Sequence, residues 1–216
     1  MPILASGNAW VIINKPAGLP SHAGPRGGAS VEDYFPQLSR RKDGPWLAHR
    51  LDADTAGCLL IALRKSLLVA AQQAFAAGRA GKVYWAVIEG SPCREQGSID
   101  APLRKISDKN GWRMVVDAKG DRAISDWRVM GRTEGRTWLE LRPRTGRTHQ
   151  LRVHCGLIGG AIVGDPVYGG KPPKERLHLL ARGINLSIDP PVSATAPPPL
   201  HMAAALAACG FTSSAC

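Results

Sequence analysis

No two cysteines in this chain are spaced as C-x-x-C. The five present, Cys58, Cys93, Cys155, Cys209 and Cys216, are odd in number and irregular in spacing, which argues for a reducing compartment and against zinc. His49, His149 and His154 form neither H-E-x-x-H nor a deaminase-like H-x-E followed by P-C-x-x-C, and there is no G-x-S-x-G elbow for a serine hydrolase. The glycine-rich loop Ser21 to Gly28 has neither the G-x-x-x-x-G-K-[ST] nor the G-x-G-x-x-G spacing that would mark a nucleotide site. Met1 to Gly7 lacks a basic region followed by a long apolar core, and no stretch reaches the roughly 18 apolar residues of a membrane span. A cytoplasmic protein that avoids membranes is expected.

Acidic residues are also scarce. Against 17 Asp and Glu stand 28 Lys and Arg, giving a net charge of +11 and a pI near 9.9. Such an excess favours a polyanionic partner, chiefly nucleic acid. With 216 residues, 44% hydrophobic and 21% charged, the chain can bury a sizeable core in one domain or two tightly joined lobes. No internal repeat and no linker-bounded domain stands out.

Strands are predicted at Ala9 to Asn14 and Cys58 to Leu63, the latter a short continuous apolar run suited to burial on both faces. A short helix is predicted from Ser30 to Phe35, with Asp33 at the capping-box position. An amphipathic helix over Ser66 to Ala77 carries Leu67, Leu68, Ala71, Ala74 and Phe75 on one face, with Gly78 as its terminal cap. Further strands are expected at Gly81 to Gly90, Gly97 to Ala101 and Arg113 to Val116. Ala123 to Val129 and Arg136 to Leu141 form an antiparallel pair around a Gly131–Gly135 loop. A last strand follows at Gly183 to Ile188, then an extended proline-rich connector over Asp189 to Pro199 and a terminal helix at Leu200 to Ala208.

Two stretches hold the chemistry. His49-Arg50-Leu51-Asp52-Ala53-Asp54-Thr55-Ala56-Gly57 places two carboxylates and two basic residues just ahead of a buried strand. A glycosidase would require two acids about 5–10 Å apart across a cleft; Asp52 and Asp54, as alternate residues, do not favour that arrangement. Arg142 to His154 holds four arginines and no acid. Its Thr145-Gly146-Arg147-Thr148 segment reads as a turn, with Thr148 as N-cap of a helix bearing Leu151, Cys155 and Ile158. Free N–H groups beside arginines make a phosphate or carboxylate site, although a solvated basic loop fits the same residues. Tyr84 is either a core tyrosine or a hydroxyl aimed into a cleft.

The motif His49-Arg50-Leu51-Asp52-x-x-Thr55-x-Gly57 resembles the signature of the RluA-type pseudouridine synthases. Other segments resemble the family in the same order: Asn14-Lys15-Pro16-Ala17-Gly18, the Lys82 to Gly90 strand, Thr145 to His154, and Gly164-Asp165-Pro166-x-Tyr168-Gly169. The resemblance spans roughly residues 8 to 188. It implies an α+β pseudouridine synthase fold, a mixed, largely antiparallel sheet with flanking helices and a central cleft, forming one catalytic domain over residues 1–216 with no N-terminal S4-like module.

It further implies isomerisation of uridine in RNA, ribosomal or transfer, without metal or cofactor, by a monomer needing no protein partner. Asp52 becomes the catalytic carboxylate, Tyr84 the active-site phenol and Arg152 the guanidinium paired with the catalytic acid. RNA contacts are expected at Lys15, His49, Arg50, Arg147 and Thr148, with Arg50 filling the gap left by a flipped base. Ala56 departs from the family's usual serine, and the region after Ile188 matches weakly. Rival readings are a non-catalytic RNA-binding or RNA-chaperone protein on the same fold, and an RNA N-glycosidase that releases free uracil.

Overall fold

The computed structural model describes residues 1–24, 27–109, 111–170 and 174–212. Cys216 and the Pro25-Arg26 step of the glycine-rich loop therefore lie outside the described residues. In chain order the elements are β1 (Ile3–Gly7), β2 (Trp10–Lys15), α1 (Phe35–Leu38), β3 (Trp46–Leu47), β4 (Ala56–Ala62), α2 (Lys65–Ala76) and β5 (Ala80–Glu89). Then come β6 (Gln96–Asp100), β7 (Leu103–Asp108), β8 (Gly111–Val116), β9 (Ile124–Thr133), β10 (Arg136–Pro143), α3 (Gln150–Ile158), β11 (Leu179–Leu186), β12 (Val192–Thr195) and α4 (Leu200–Ala208). These elements form two compact units, Met1–Lys82 with Leu180–Pro199, and Val83–Leu179 with Leu200–Cys216.

The first unit is organised on β4, whose seven residues are all buried, as expected of an aliphatic run with no polar alternation. β2 pairs with it antiparallel from Trp10↔Ala62 to Lys15↔Gly57, and β3 adds a second short antiparallel contact. Leu180 and Ala181 of β11 pair with Ala56 and Gly57 in parallel, making this sheet mixed. β1, not anticipated from sequence, folds antiparallel onto β2 through a turn at Asn8 and Ala9. The proline-rich connector also contains an unanticipated strand: β12 pairs with β11 from Gly183↔Thr195 to Leu186↔Val192. Its Val-Ser-Ala-Thr core lies between prolines, which an edge strand tolerates because one row of its N–H groups needs no partner.

α2 buries Leu67, Ala71 and Ala74. Its end is a Schellman arrangement: the Gly78 N–H donates to the Phe75 carbonyl and the Arg79 N–H to the Ala74 carbonyl, with Gly78 at φ +67°. The Ser30 to Phe35 segment begins as a 3₁₀ turn over Val31–Tyr34 before the single turn of α1. Asp33 accepts the Ser30 N–H at 2.9 Å, as its capping position implies.

The second unit is an antiparallel sheet. β10 lies between β5 and β9, and β6 extends it beyond β9. β9 and β10 turn through Glu134 and Gly135, a tighter hairpin than the five-residue loop expected, because β9 continues to Thr133 opposite Arg136. Ala86, Ile88, Trp127, Leu139 and Leu141 form its core with Leu151 and Cys155 of α3. β7, also unanticipated, pairs with β8 as a separate hairpin. α4 has the expected bounds and buries Met202, Ala205 and Leu206. Just beyond it, Phe211 packs edge-on against Trp85 and Trp138.

Candidate active site

In the first unit, the turn that carries Asp52 is held from both sides. The Leu51 N–H donates to Ser21 Oγ at 3.0 Å, and the Ser21 hydroxyl donates back to the Leu51 carbonyl at 2.8 Å. Both residues are buried, so neither bond competes with water. The Thr55 N–H closes a turn on the Asp52 carbonyl at 3.1 Å. Ala53 accepts from the Gly18 N–H at 2.9 Å and from Lys15 Nζ at 2.8 Å. Asp52 thus sits between two pinned residues with its own side chain half-exposed.

Lys15 is fully buried, and its ammonium also donates to the carbonyls of Pro16 at 2.9 Å and Leu19 at 2.7 Å. Burial lowers its pKa to about 8, against the opposing pull of the Asp54 and Asp52 carboxylates. Both acids therefore act electrostatically on this buried cation. The expected RNA contact at Lys15 is corrected: three donors meet three backbone carbonyls inside the protein, where a phosphate would have to displace them.

His49 is half-buried. Its Nε2 accepts the Leu60 N–H at 3.1 Å, and its ring lies 5.4 Å from that of Phe75 in α2. Burial, reinforced by the charge of Lys82, pushes its pKa down to about 4. The neutral ring ties the loop to β4. Arg50 is the exposed member of the motif, its Nη1 lying 3.2 Å from His22 Nε2. Gly57 must be glycine: its φ is +109°, and an added Cβ would stand 2.3 Å from the Ala181 carbonyl oxygen.

In the second unit, the arginine motif opens α3. The expected N-cap at Thr148 is corrected to His149, which adopts the left-handed conformation at φ 52°. Gln150 organises the turn instead. Its Oε1 accepts from the Thr145 hydroxyl at 2.7 Å and the Arg147 N–H at 3.0 Å, while its Nε2 donates to the Ile124 carbonyl and Ser125 Oγ, both at 2.9 Å. A glutamine at the first helical position can bridge both sides of the turn, which the short Thr148 side chain cannot. Thr148 is exposed. The guanidinium of Arg147 donates to the Arg122 carbonyl at 3.2 Å and lies 3.5 Å from the Asp121 carboxylate.

Arg152 points into the interior. Its Nε donates to Asp165 Oδ2 at 2.7 Å and its Nη2 to Oδ1 at 2.8 Å, with the two side chains 4% and 0% exposed. Asp165 Oδ1 also accepts the N–H groups of Val167 and Tyr168 at 2.8 and 3.0 Å. Burial pushes the Asp165 carboxyl up, but these donors outweigh it and hold the pKa below the usual carboxylate value. Two of the five guanidinium donors are used here, fixing the plane of Arg152. Asp165 was missed as a site residue because its loop has no readable periodicity; the signal was one acid following an arginine run that contains none. Tyr84 on β5 is half-buried opposite Leu141 and packs on the core of its unit.

Among the described residues, no group of three or more His, Cys, Asp or Glu is placed to hold a metal ion, and no helix is long and apolar enough to cross a membrane. The elements form an α+β fold. The sequence profile described as RNA pseudouridylate synthase matches residues 9–156. An uncharacterised RNA pseudouridine synthase of Zymomonas mobilis is 42% identical over 211 residues, covering 92% of this chain and 96% of the relative. RNA pseudouridine synthase 4, mitochondrial, of Arabidopsis thaliana is 34% identical over 199 residues, 81% of this chain but 42% of the relative. The structure of human RNA Pseudouridylate Synthase Domain Containing 4 superposes with a TM-score of 0.81 at 27% identity, covering 96% of this chain and 92% of that one. The chain belongs to the RNA pseudouridylate synthase family and is an isomerase acting on RNA.

Proposed function

We propose that this protein converts uridines of structured ribosomal or transfer RNA to pseudouridine after flipping the target base, with Asp52 as the catalytic carboxylate. The observation that carries the reading is the bracing of the Asp52 turn by Ser21, Lys15 and Gly18. Such rigidity matters for a group that must meet a sugar carbon in one orientation. Asp52 acts as nucleophile or base at the sugar when the glycosidic bond breaks. The uracil turns, C5 joins C1′, and the C5 proton leaves; the phenol of Tyr84 lies against the base and handles that proton. Asp165 fixes the plane of Arg152, to which this reading gives the family's arginine role.

Removing a uridine from its stack costs a few kcal/mol, least in a loop. Arg50, exposed at the rim of the motif, fills the vacancy. The positive surface holds phosphates, so affinity falls steeply with salt. The protein works as a cytoplasmic monomer; sedimentation with and without RNA, and fractionation of cells, test these two points.

Asp52→Asn should abolish pseudouridine formation while RNA binding persists, measured by mapping pseudouridine in cellular RNA after incubation and by filter binding. Turnover at the wild-type rate overturns the mechanism. Release of free uracil by the wild-type protein identifies an N-glycosidase instead, and binding without product a non-catalytic RNA-binding protein.

A further inference from the structure

The β7–β8 hairpin carries a large aromatic residue that the core does not use. Trp112 is 44% exposed, unusual for a side chain that ordinarily buries most of its surface. It lies opposite Ser107 in register, two residues from Met114, which is buried against Leu103 and Ala123. One face of the hairpin is thus anchored near its base and projects an indole further out. Lys105 places its ammonium 4.6 Å from the centre of that ring, and the neighbouring Arg113 is exposed.

The indole is also held at a defined place. The ring of His149 stacks on Trp112 with centroids 4.9 Å apart and planes 27° from parallel. His149 Nδ1 is 3.0 Å from the Tyr168 hydroxyl, which accepts the Met114 N–H at 3.0 Å. Tyr168 in turn lies under the Arg152 guanidinium, 5.2 Å from its ring centre. His149 stands three positions before Arg152, and Trp112 is connected to the buried arginine through the rings of His149 and Tyr168. His149 is the one described non-glycine residue at positive φ, a backbone state that persists where surrounding contacts enforce it.

We infer that Trp112 is a stacking platform for an unpaired base beside the target uridine, with Lys105 taking an adjoining phosphate. The inference rests on the RNA-modifying function proposed above. A π-face beside cations is how single-stranded nucleic acid is held without reading its sequence. Extruding a uridine costs least where the RNA is locally unpaired, and its freed neighbour then requires a stacking partner. A protein partner would not require a cation over the ring; an RNA strand uses both features.

The test measures binding of a fluorescein-labelled RNA hairpin with a seven-nucleotide loop, and of a fully paired RNA duplex, over a salt series. Trp112→Ala should raise Kd for the hairpin about tenfold or more, the scale of one lost base stack, and leave the duplex nearly unaffected. Trp112→Phe should restore most of the loss. The slope of log Kd against log salt should be unchanged by Trp112→Ala and should fall by about one for Lys105→Ala. Unchanged hairpin binding by Trp112→Ala overturns the platform. So does equal weakening toward hairpin and duplex, or failure of Trp112→Phe to rescue, since either makes the indole only a brace for His149. Wild-type protein that stacks loop RNA through Trp112 yet makes no pseudouridine supports the platform and refutes the proposed reaction.

Discussion

Replacing Asp165 by Asn removes one charge and almost no volume, and so isolates the role of the buried pair with Arg152. The asparagine Oδ1 can still accept the Val167 and Tyr168 N–H groups, but its amide nitrogen then faces an Arg152 donor, so the buried guanidinium loses its bidentate carboxylate partner. Breaking a buried pair from one side costs about 3–5 kcal/mol, against a typical total stability of roughly 5–15 kcal/mol. For a chain of this size, about 2–4 °C of midpoint is lost per kcal/mol, so the unfolding temperature should fall by roughly 6–20 °C. The turnover rate should fall too, because the plane of Arg152 is no longer set from behind.

The double variant Arg152→Met with Asp165→Asn should recover much of the stability and none of the activity, since it removes the stranded charge but also the guanidinium. The pH dependence has a definite sign. The carboxyl of Asp165 is held below its ordinary value of 3.8 in the folded protein, so its contribution is complete above about pH 4 and disappears as pH falls through the folded value. Calorimetry from pH 3 to 8 should show the wild type losing that contribution on acidification while Asp165→Asn lacks it throughout. A midpoint within about 2 °C of wild type at pH 7 would refute the assignment of Asp165 as the support of Arg152.

Other outcomes follow from the carboxylate turn. Lys15→Met leaves the Pro16, Leu19 and Ala53 carbonyls without their buried donor and should cost about 2–4 kcal/mol with a larger fall in kcat than in RNA affinity; denaturant unfolding and filter binding check the two halves. Gly57→Ala sets a methyl 2.3 Å from the Ala181 oxygen at φ +109° and should cost about 3 kcal/mol or more, measured as a lower denaturation midpoint. His49 has its pKa depressed from 6.5 to about 4, so it favours folding above pH 6.5 and loses that contribution as pH falls toward 4. His154 and His178 are shifted in the same direction; His49→Gln should therefore reduce, not remove, the slope of stability between pH 4 and 6.5. Tyr84→Phe should slow turnover with little change in RNA binding; an unchanged single-turnover rate excludes a chemical role for the hydroxyl.

Apolar pattern and chain punctuation determined much of the local structure. The unbroken Cys58 to Leu63 run fits a strand buried on both faces, as β4 is, and the 3.6-residue spacing before Gly78 specified α2 with its terminal cap. The ordered motifs around Asp52, Tyr84 and Arg152 were sufficient to indicate the family. Less legible were strands whose partners lie elsewhere. β1 exists because β2 offers it an edge, β12 because β11 does, and β7 because β8 folds back on it; their own residues carry weak periodicity.

The roles of charged side chains depended still more on the tertiary structure. Lys15 and Arg50 both read as cations near an acidic motif, yet one is enclosed by carbonyls and the other faces solvent, because burial is a property of the packed neighbours and not of the residue. Asp165 showed no role until α3 brought Arg152 against it, 13 residues earlier in the chain. Local sequence determines backbone preference and pattern, which act over a few residues. Which donors meet which acceptors, and which charges lose their water, is determined only when distant segments close around them.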